Sequence, residues 1–259
     1  MTVDSAFCER PLVVLPTYNE CENIESMARS VLSYLPQATV WIVDDNSPDG
    51  TGQIADALAA VEPRIEVIHR PGKMGLGRAY VDAYQRALAR DFDCLIQMDA
   101  DFSHDPAYLP SLLAGLADAD LVLGSRYVPG GGTRNWAKAR QIISQGGNVV
   151  ARIGLGIQVH DATGGFRAFR RSTIERLRFQ DLDLRGYGFQ IEVINQIEKA
   201  GMTIREIPII FVERAAGKSK MSKDIALEAF LYIVRRRLDR MLHRDTSDAD
   251  RTETVLGKR

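Results

Sequence analysis

Short apolar runs alternate with amphipathic stretches through the first half of the chain. Residues 12–15 (Leu12, Val13, Val14, Leu15) are uniformly apolar and closed by Pro16, the pattern of a strand buried on both faces. Ile24, Met27, Ala28, Val31, Leu32 and Leu35 then recur at three- and four-residue steps and predict a helix, with Asn19 and Glu22 as its capping pair. Strands follow over 40–43, 65–68, 94–98 and 121–123, and helices around 54–61, 76–89 and 108–116. Strand–helix alternation with short connections predicts an α/β domain: a mostly parallel central sheet with helices on both faces. Ligands of such sheets bind beyond the carboxyl ends of the strands.

The second half is less regular. Residues 130–132 (three glycines) read as a loop, followed by a basic segment over 134–152 and a strand over 203–212. Leu227, Phe230, Leu231, Val234, Leu238, Met241 and Leu242 predict an amphipathic helix over about 223–242, decorated by Arg235, Arg236, Arg237 and Arg240. Residues 244–259 are polar and expected to be disordered. No composition break divides the chain, so residues 1–243 are expected to form one domain.

Composition removes several classes. With 45% hydrophobic and 26% charged residues the chain is an ordinary globular protein, and a net charge of −1 argues against a nucleic-acid binder. Cys8, Cys21 and Cys94 show no paired spacing and fit reduced thiols. The N-terminus does not read as a signal peptide, and no stretch approaches the roughly 18 apolar residues of a spanning helix. The expected location is cytoplasmic.

Three polar motifs fall at predicted strand ends. Residues 99–101 (Asp99, Ala100, Asp101) follow the strand 94–98, and a period of two points both carboxylates the same way. Two carboxylates facing one point repel unless a cation sits between them. Mg²⁺ or Mn²⁺ shared with substrate phosphates suits such oxygen ligands. Residues 16–20 (Pro16, Thr17, Tyr18, Asn19, Glu20) close the first strand, and Asp44, Asp45 and Asn46 open the loop after the second. His104 lies near the acidic pair, but an oxygen-rich phosphate site does not need imidazole; His69, His160 and His243 show no metal spacing.

With these motifs in this order the chain resembles glycosyltransferase family 2 and, within it, the dolichol-phosphate mannose synthases. The resemblance runs from about residue 12 to 221. It includes the glycine-rich stretch 72–77, residues 124–127 (Gly124, Ser125, Arg126, Tyr127), residues 161–167 from Asp161 to Arg167, Arg214, and the run 217–222. It implies a single GT-A nucleotide-sugar-binding fold and transfer of mannose from GDP-mannose to a polyprenyl phosphate. By resemblance, Pro16, Tyr18, Glu20, Val43 and Asp45 hold the guanosine end of the donor. Lys73, Asp99, Ala100, Asp101, Arg126, Arg214 and Lys220 complete the donor site. Asp99 and Asp101 bind the metal, and Asp99, Asp101 and Arg126 are the catalytic set. Arg126, Arg140 and Ser144 grip the acceptor phosphate. Where some relatives have a glutamine two residues after the second Asp, as an extra metal ligand, this chain has Ser103.

A sugar hydroxyl acceptor needs a general base. A phosphate monoester, with a second pKa of about 6, is already ionised near neutral pH and needs cations instead. In-line attack then inverts the anomeric carbon to a β-linkage, with no indispensable carboxylate base. A polyprenyl acceptor is met at a bilayer. The basic amphipathic segments over about 134–155 and 223–242 are therefore expected to lie on the cytosolic face of a membrane, unaided or with a small membrane anchor protein. Between Arg214 and Arg240 there are eight Lys or Arg against three acids. Two other readings stay open: a related transferase using UDP-glucose or another donor with a lipid-phosphate or glycan acceptor, and a non-catalytic nucleotide-sugar-binding scaffold.

Overall fold

A computed structural model describes residues 8–182, 187–213, 232–235 and 237. Nine strands and seven α-helices are assigned among them: β1 (Pro11–Thr17), α1 (Ile24–Tyr34), β2 (Thr39–Asp44), α2 (Thr51–Val61), β3 (Ile65–His69), α3 (Leu76–Leu88), β4 (Cys94–Gln97), α4 (Leu109–Gly115), β5 (Leu121–Ser125), β6 (Gly132–Arg134), α5 (Lys138–Leu155), β7 (Arg167–Arg170), α6 (Arg171–Glu175), α7 (Tyr187–Lys199), β8 (Ile204–Pro208) and β9 (Ile210–Val212). Seven strands form one sheet in the order β3-β2-β1-β4-β7-β5-β8, and β6 pairs with β9 in a second. Only β7 runs antiparallel to its neighbours.

Alternation along each strand builds a core on both sheet faces. Leu12, Val14, Trp41, Val43 and Leu95 pack on one side with α3, α7 and the carboxyl half of α5. Val13, Leu15, Val40, Ile42 and Ile96 pack on the other with α1, α2 and α4. Strand order reverses between β1 and β4: the chain first builds outward through β2 and β3, then returns to the other side of β1. The crevice at that switch point lies where the three sequence motifs end.

Four sequence expectations need correction. The strand over 203–212 is two: β8 pairs with β5 as far as Pro208, then Ile209, bonded to both Ser125 and Gly132, carries the chain across to β6. Of the predicted loop 130–132, Gly130 and Gly131 are loop as expected, but Gly132 already opens the short strand β6. Asn19 and Glu22 do not cap α1; the N-cap is Asn23, and Glu20 O accepts from Ile24 N. Cys8 and Cys94 are not separate thiols but a disulfide, with Cα atoms 5.9 Å apart. The chain entering β1 runs beside the start of β4, where Arg10 O accepts from Asp93 N. Cys21 is the free cysteine.

Within the predicted carboxyl-terminal helix, only 232–235 and 237 are described, and they are helical. Tyr232 and Ile233 are buried, Ile233 against Gly154, whereas Val234, from the predicted apolar stripe, is 38% exposed. The other residues of that stripe, Arg236, Arg240 and the 244–259 tail lie outside the described residues, as do Arg214, Lys220 and the run 217–222.

Candidate active site

The loops after β1 and β2 are tied together by buried polar groups. Asp44 accepts from Thr17 Oγ1 (3.1 Å), Ser47 N (3.0 Å) and Ser47 Oγ (2.5 Å), while Asn19 N donates to Ser47 Oγ (3.1 Å). Asn19, Asn46 and Phe102 hold left-handed φ of 57°, 57° and 60°, one in each motif loop. Asparagine tolerates this backbone, but Phe102 is strained there, and such strain gathers at functional sites.

Of the residues expected at the donor, Tyr18 and Lys73 meet directly, with Lys73 Nζ 4.5 Å from the ring centroid. Pro16 is half-buried beside them, and Glu20 is buried, its Oε2 accepting from Asn23 Nδ2 at 3.0 Å. Val43 buries its side chain in the core, so only its backbone faces the crevice end of β2. Asp45 is held by Arg70 Nη1 at 2.5 Å and by Met74 N at 3.1 Å. Burial raises its carboxyl above the ordinary value against the pull of Arg70. Sequence reading missed Arg70. Its signal was a lone cation at the end of a strand whose register places it beside the motif aspartates: Asp44 pairs with His69, and Arg70 N donates to Asp44 O.

Asp99, Ala100 and Asp101 follow β4. Asp101 is buried and accepts from Ser103 N at 3.0 Å and from Ser103 Oγ; the Asp99 carboxylate is 35% exposed. Asp99 N donates to His104 Nδ1 at 3.0 Å, and the buried imidazole stacks on Phe166 with ring centroids 4.9 Å apart. Burial holds His104 below the usual imidazole value, so it is a neutral support for the acidic loop. No group of three His, Cys, Asp or Glu able to hold a metal exists among the described residues. Two carboxylates without a third protein ligand fit a hard divalent cation that takes its remaining ligands from substrate phosphates and water.

At the end of β5, Arg126 is buried against Asp161: Nε and Nη2 donate to the two carboxylate oxygens at 2.7 and 2.6 Å, and the backbone N at 3.0 Å. Burial pushes the Asp161 carboxyl up, but Arg126 outweighs it, and the group titrates below its ordinary value. The Arg126 guanidinium is ringed by Tyr127, Trp136 and Phe211 at 5.2, 5.4 and 5.6 Å. Arg140 stacks on the other partner of this ring, 4.2 Å from the Trp136 centroid, and pairs with Glu213. Ser144 accepts from Tyr127 Oη at 2.7 Å. The three residues expected at an acceptor phosphate thus form one cluster. Within it, Trp136 Nε1 and Arg140 Nε are buried N–H donors without a partner among the described residues.

α5 turns its apolar stripe outward. Ile142, Ile143, Val149, Val150 and Ile153 are exposed, while Ser144, Asn148 and Ala151 face the protein. Residues 126–160 contain five Arg or Lys and no Asp or Glu.

The glycosyl transferase family 2 model matches residues 12–178. The chain belongs to this family. Among curated family 2 relatives, an undecaprenyl-phosphate mannosyltransferase of Micrococcus luteus is 44% identical over 87% of this chain and 93% of its own. A polyprenol monophosphomannose synthase of Mycolicibacterium smegmatis is 44% identical over 90% of each chain. A crystal structure of Mycobacterium tuberculosis glucosyl-3-phosphoglycerate synthase with Mn²⁺, UDP and its product superposes with a TM-score of 0.66 at 20% identity, covering 88% of this chain and 80% of the other. At that identity the likeness establishes the family 2 GT-A architecture.

Proposed function

We propose that this glycosyltransferase moves mannose from GDP-mannose to a polyprenyl phosphate, inverting the anomeric carbon, on the cytosolic face of a membrane. The observation that carries the reading is the double character of α5. Its inward side contributes Arg140 and Ser144 to a cluster with unpaired N–H donors, and its outward side is apolar. An acceptor with an anionic head and a long apolar tail matches both sides at once. Two relatives named for mannosyl transfer to such lipids, each matched over most of its length, support the same acceptor.

In this reading Tyr18, Glu20, Asp45 and Lys73, with the backbone at Pro16 and Val43, hold the nucleotide, and Arg214 and Lys220, by family resemblance, add positive charge for its phosphates. Asp99 and Asp101 would hold a divalent cation, Mg²⁺ or Mn²⁺, which would supply positive charge against the diphosphate. Arg126, fixed in one orientation by Asp161, and Arg140 present the acceptor phosphate. One phosphate oxygen forms a bond to the anomeric carbon as the bond to GDP breaks and its electron pair leaves with GDP. The attacking oxygen carries no proton at neutral pH, so no base is needed. Arg126, buried and already oriented, acts beside developing negative charge without reorganising.

Purified protein assayed in detergent with polyprenyl phosphate and either labelled GDP-mannose or labelled UDP-glucose tests the reading. Mannosyl lipid from GDP-mannose is expected; preferential glucosyl transfer from UDP-glucose would overturn the donor assignment.

A further inference from the structure

α7 carries a row of buried polar side chains, most of which satisfy one another. Asn195 Nδ2 and Gln196 Nε2 donate to the two oxygens of Glu192 at 2.9 and 3.1 Å, and Gln196 Oε1 accepts from Arg178 N at 2.8 Å. Gln190 differs. It is 2% exposed, and its backbone carbonyl accepts from the buried Arg167 at 3.0 Å, which fixes its place on the helix. Its side-chain oxygen, Oε1, is buried and has no donor among the described residues. Native proteins rarely bury an acceptor without a donor, and the exceptions gather where a ligand or water completes the bond.

The position of this carboxamide identifies the ligand. A methyl group built on Gly165 would lie 3.4 Å from His104 Cε1, 3.6 Å from Gln190 Nε2 and 4.0 Å from Asp99 Oδ1, with nothing nearer. Gln190 therefore borders the same small space as the acidic motif and the imidazole that supports it. Phosphate oxygens only accept hydrogen bonds, so the donor diphosphate cannot satisfy Oε1. The hydroxyls of the transferred hexose can, and they adjoin the diphosphate that Asp99 faces.

We propose that Gln190 is a sugar-positioning residue whose carboxamide, bordering the space beside Gly165 and Asp99 through Nε2, hydrogen-bonds a hexose hydroxyl there and thereby gives Oε1 its missing donor. The inference rests on the reading of Asp99 as a donor-diphosphate residue and adds the residue that holds the sugar. Correct placement of the hexose turns its anomeric carbon toward the acceptor, so the bond serves both affinity and the rate of transfer.

Two variants test it. Gln190→Met removes the carboxamide at similar volume. Gly165→Ala leaves Gln190 intact and fills the bordered space, its methyl making only ordinary contacts, so the fold survives. Binding of GDP and of GDP-mannose is titrated separately in the presence of Mn²⁺, with thermal melts as a folding check. Both variants are expected to weaken GDP-mannose at least about tenfold, the worth of a buried hydrogen bond, with GDP affinity within about twofold of wild type. A parallel loss of both ligands would overturn the proposal, as would unchanged GDP-mannose binding, the result expected if Oε1 meets only water. Should Gln190→Met not fold, Gly165→Ala decides alone. If the wild-type protein binds UDP-glucose instead of GDP-mannose, the mannose reading fails, and the same comparison of UDP with UDP-glucose still decides the role of Gln190.

Discussion

Arg126 and Asp161 are among the most buried charged residues of the described chain, and the guanidinium keeps the Asp161 carboxyl ionised against the cost of its burial. Removing one charge strands the other, at a cost of about 3–5 kcal/mol for a buried pair. Asp161→Asn is therefore expected to lower stability by that order in thermal or denaturant unfolding. The pH dependence has a definite sign. The folded Asp161 carboxyl titrates below its ordinary value of 3.8, so its stabilisation is complete above about pH 4 and is lost as pH falls further. The gap between wild type and Asp161→Asn should accordingly be constant near neutrality and close in acid; a gap that widened in acid would contradict the pair. At the acidic motif, Asp101→Asn keeps the shape that Ser103 bonds to but removes a charge. It is expected to reduce transfer at least about a hundredfold, since a single transition-state electrostatic contact contributes about 2.7–4 kcal/mol. Retained transfer by this variant would remove the cation from the account. Single residues were unevenly legible in the sequence. Asp99 and Asp101 announced themselves by spacing after an apolar run, whereas Arg140 and Ser144 rested on resemblance alone. Arg70 and Trp136 were missed, because their neighbours come from strands and helices distant in the chain.

Elements were legible where burial on both faces makes an unbroken apolar run, as in β1, β2, β4 and β5. β7 was not, because its four residues include Arg167 and Arg170, whose guanidiniums bond to backbone carbonyls: those of Gly164, Gln190 and Ala162 for Arg167, and of Leu116 and Ala117 for Arg170. A strand that places charged ends on buried carbonyls carries no period-two signal. β6 and β9 are too short to show one. The segment 134–155 was legible as basic and amphipathic, expected at a membrane, but not as the helix α5 with its apolar stripe exposed. Its outward stripe makes a prediction for the element. Ile142→Ser combined with Ile153→Ser should leave the melting temperature nearly unchanged and reduce binding to anionic phospholipid vesicles at least about tenfold, because membrane affinity scales with the apolar area inserted. A drop in melting temperature with unchanged vesicle binding would assign the stripe to packing instead.

For the whole molecule, the doubly covered sheet brings the motif loops to the switch between β1 and β4, and the second half of the chain adds the cluster of Arg126, Trp136 and Arg140 beyond β5. In the proposed reading, donor residues gather at the ends of β1, β2, β3 and β4, and acceptor residues at the end of β5 and along α5. Membrane association through the acid-free segment 126–160 should weaken with salt, because exposed charges are screened over about 10 Å at 0.1 M ionic strength. The division between donor and acceptor sides is the central claim, and Arg140 tests it most directly. In steady-state assays of mannosyl transfer, Arg140→Ala is expected to raise the KM for polyprenyl phosphate by about 10- to 100-fold, the worth of one hydrogen bond to a charged group, and to leave the KM for GDP-mannose unchanged. A rise in the KM for GDP-mannose with the lipid KM unmoved would contradict it.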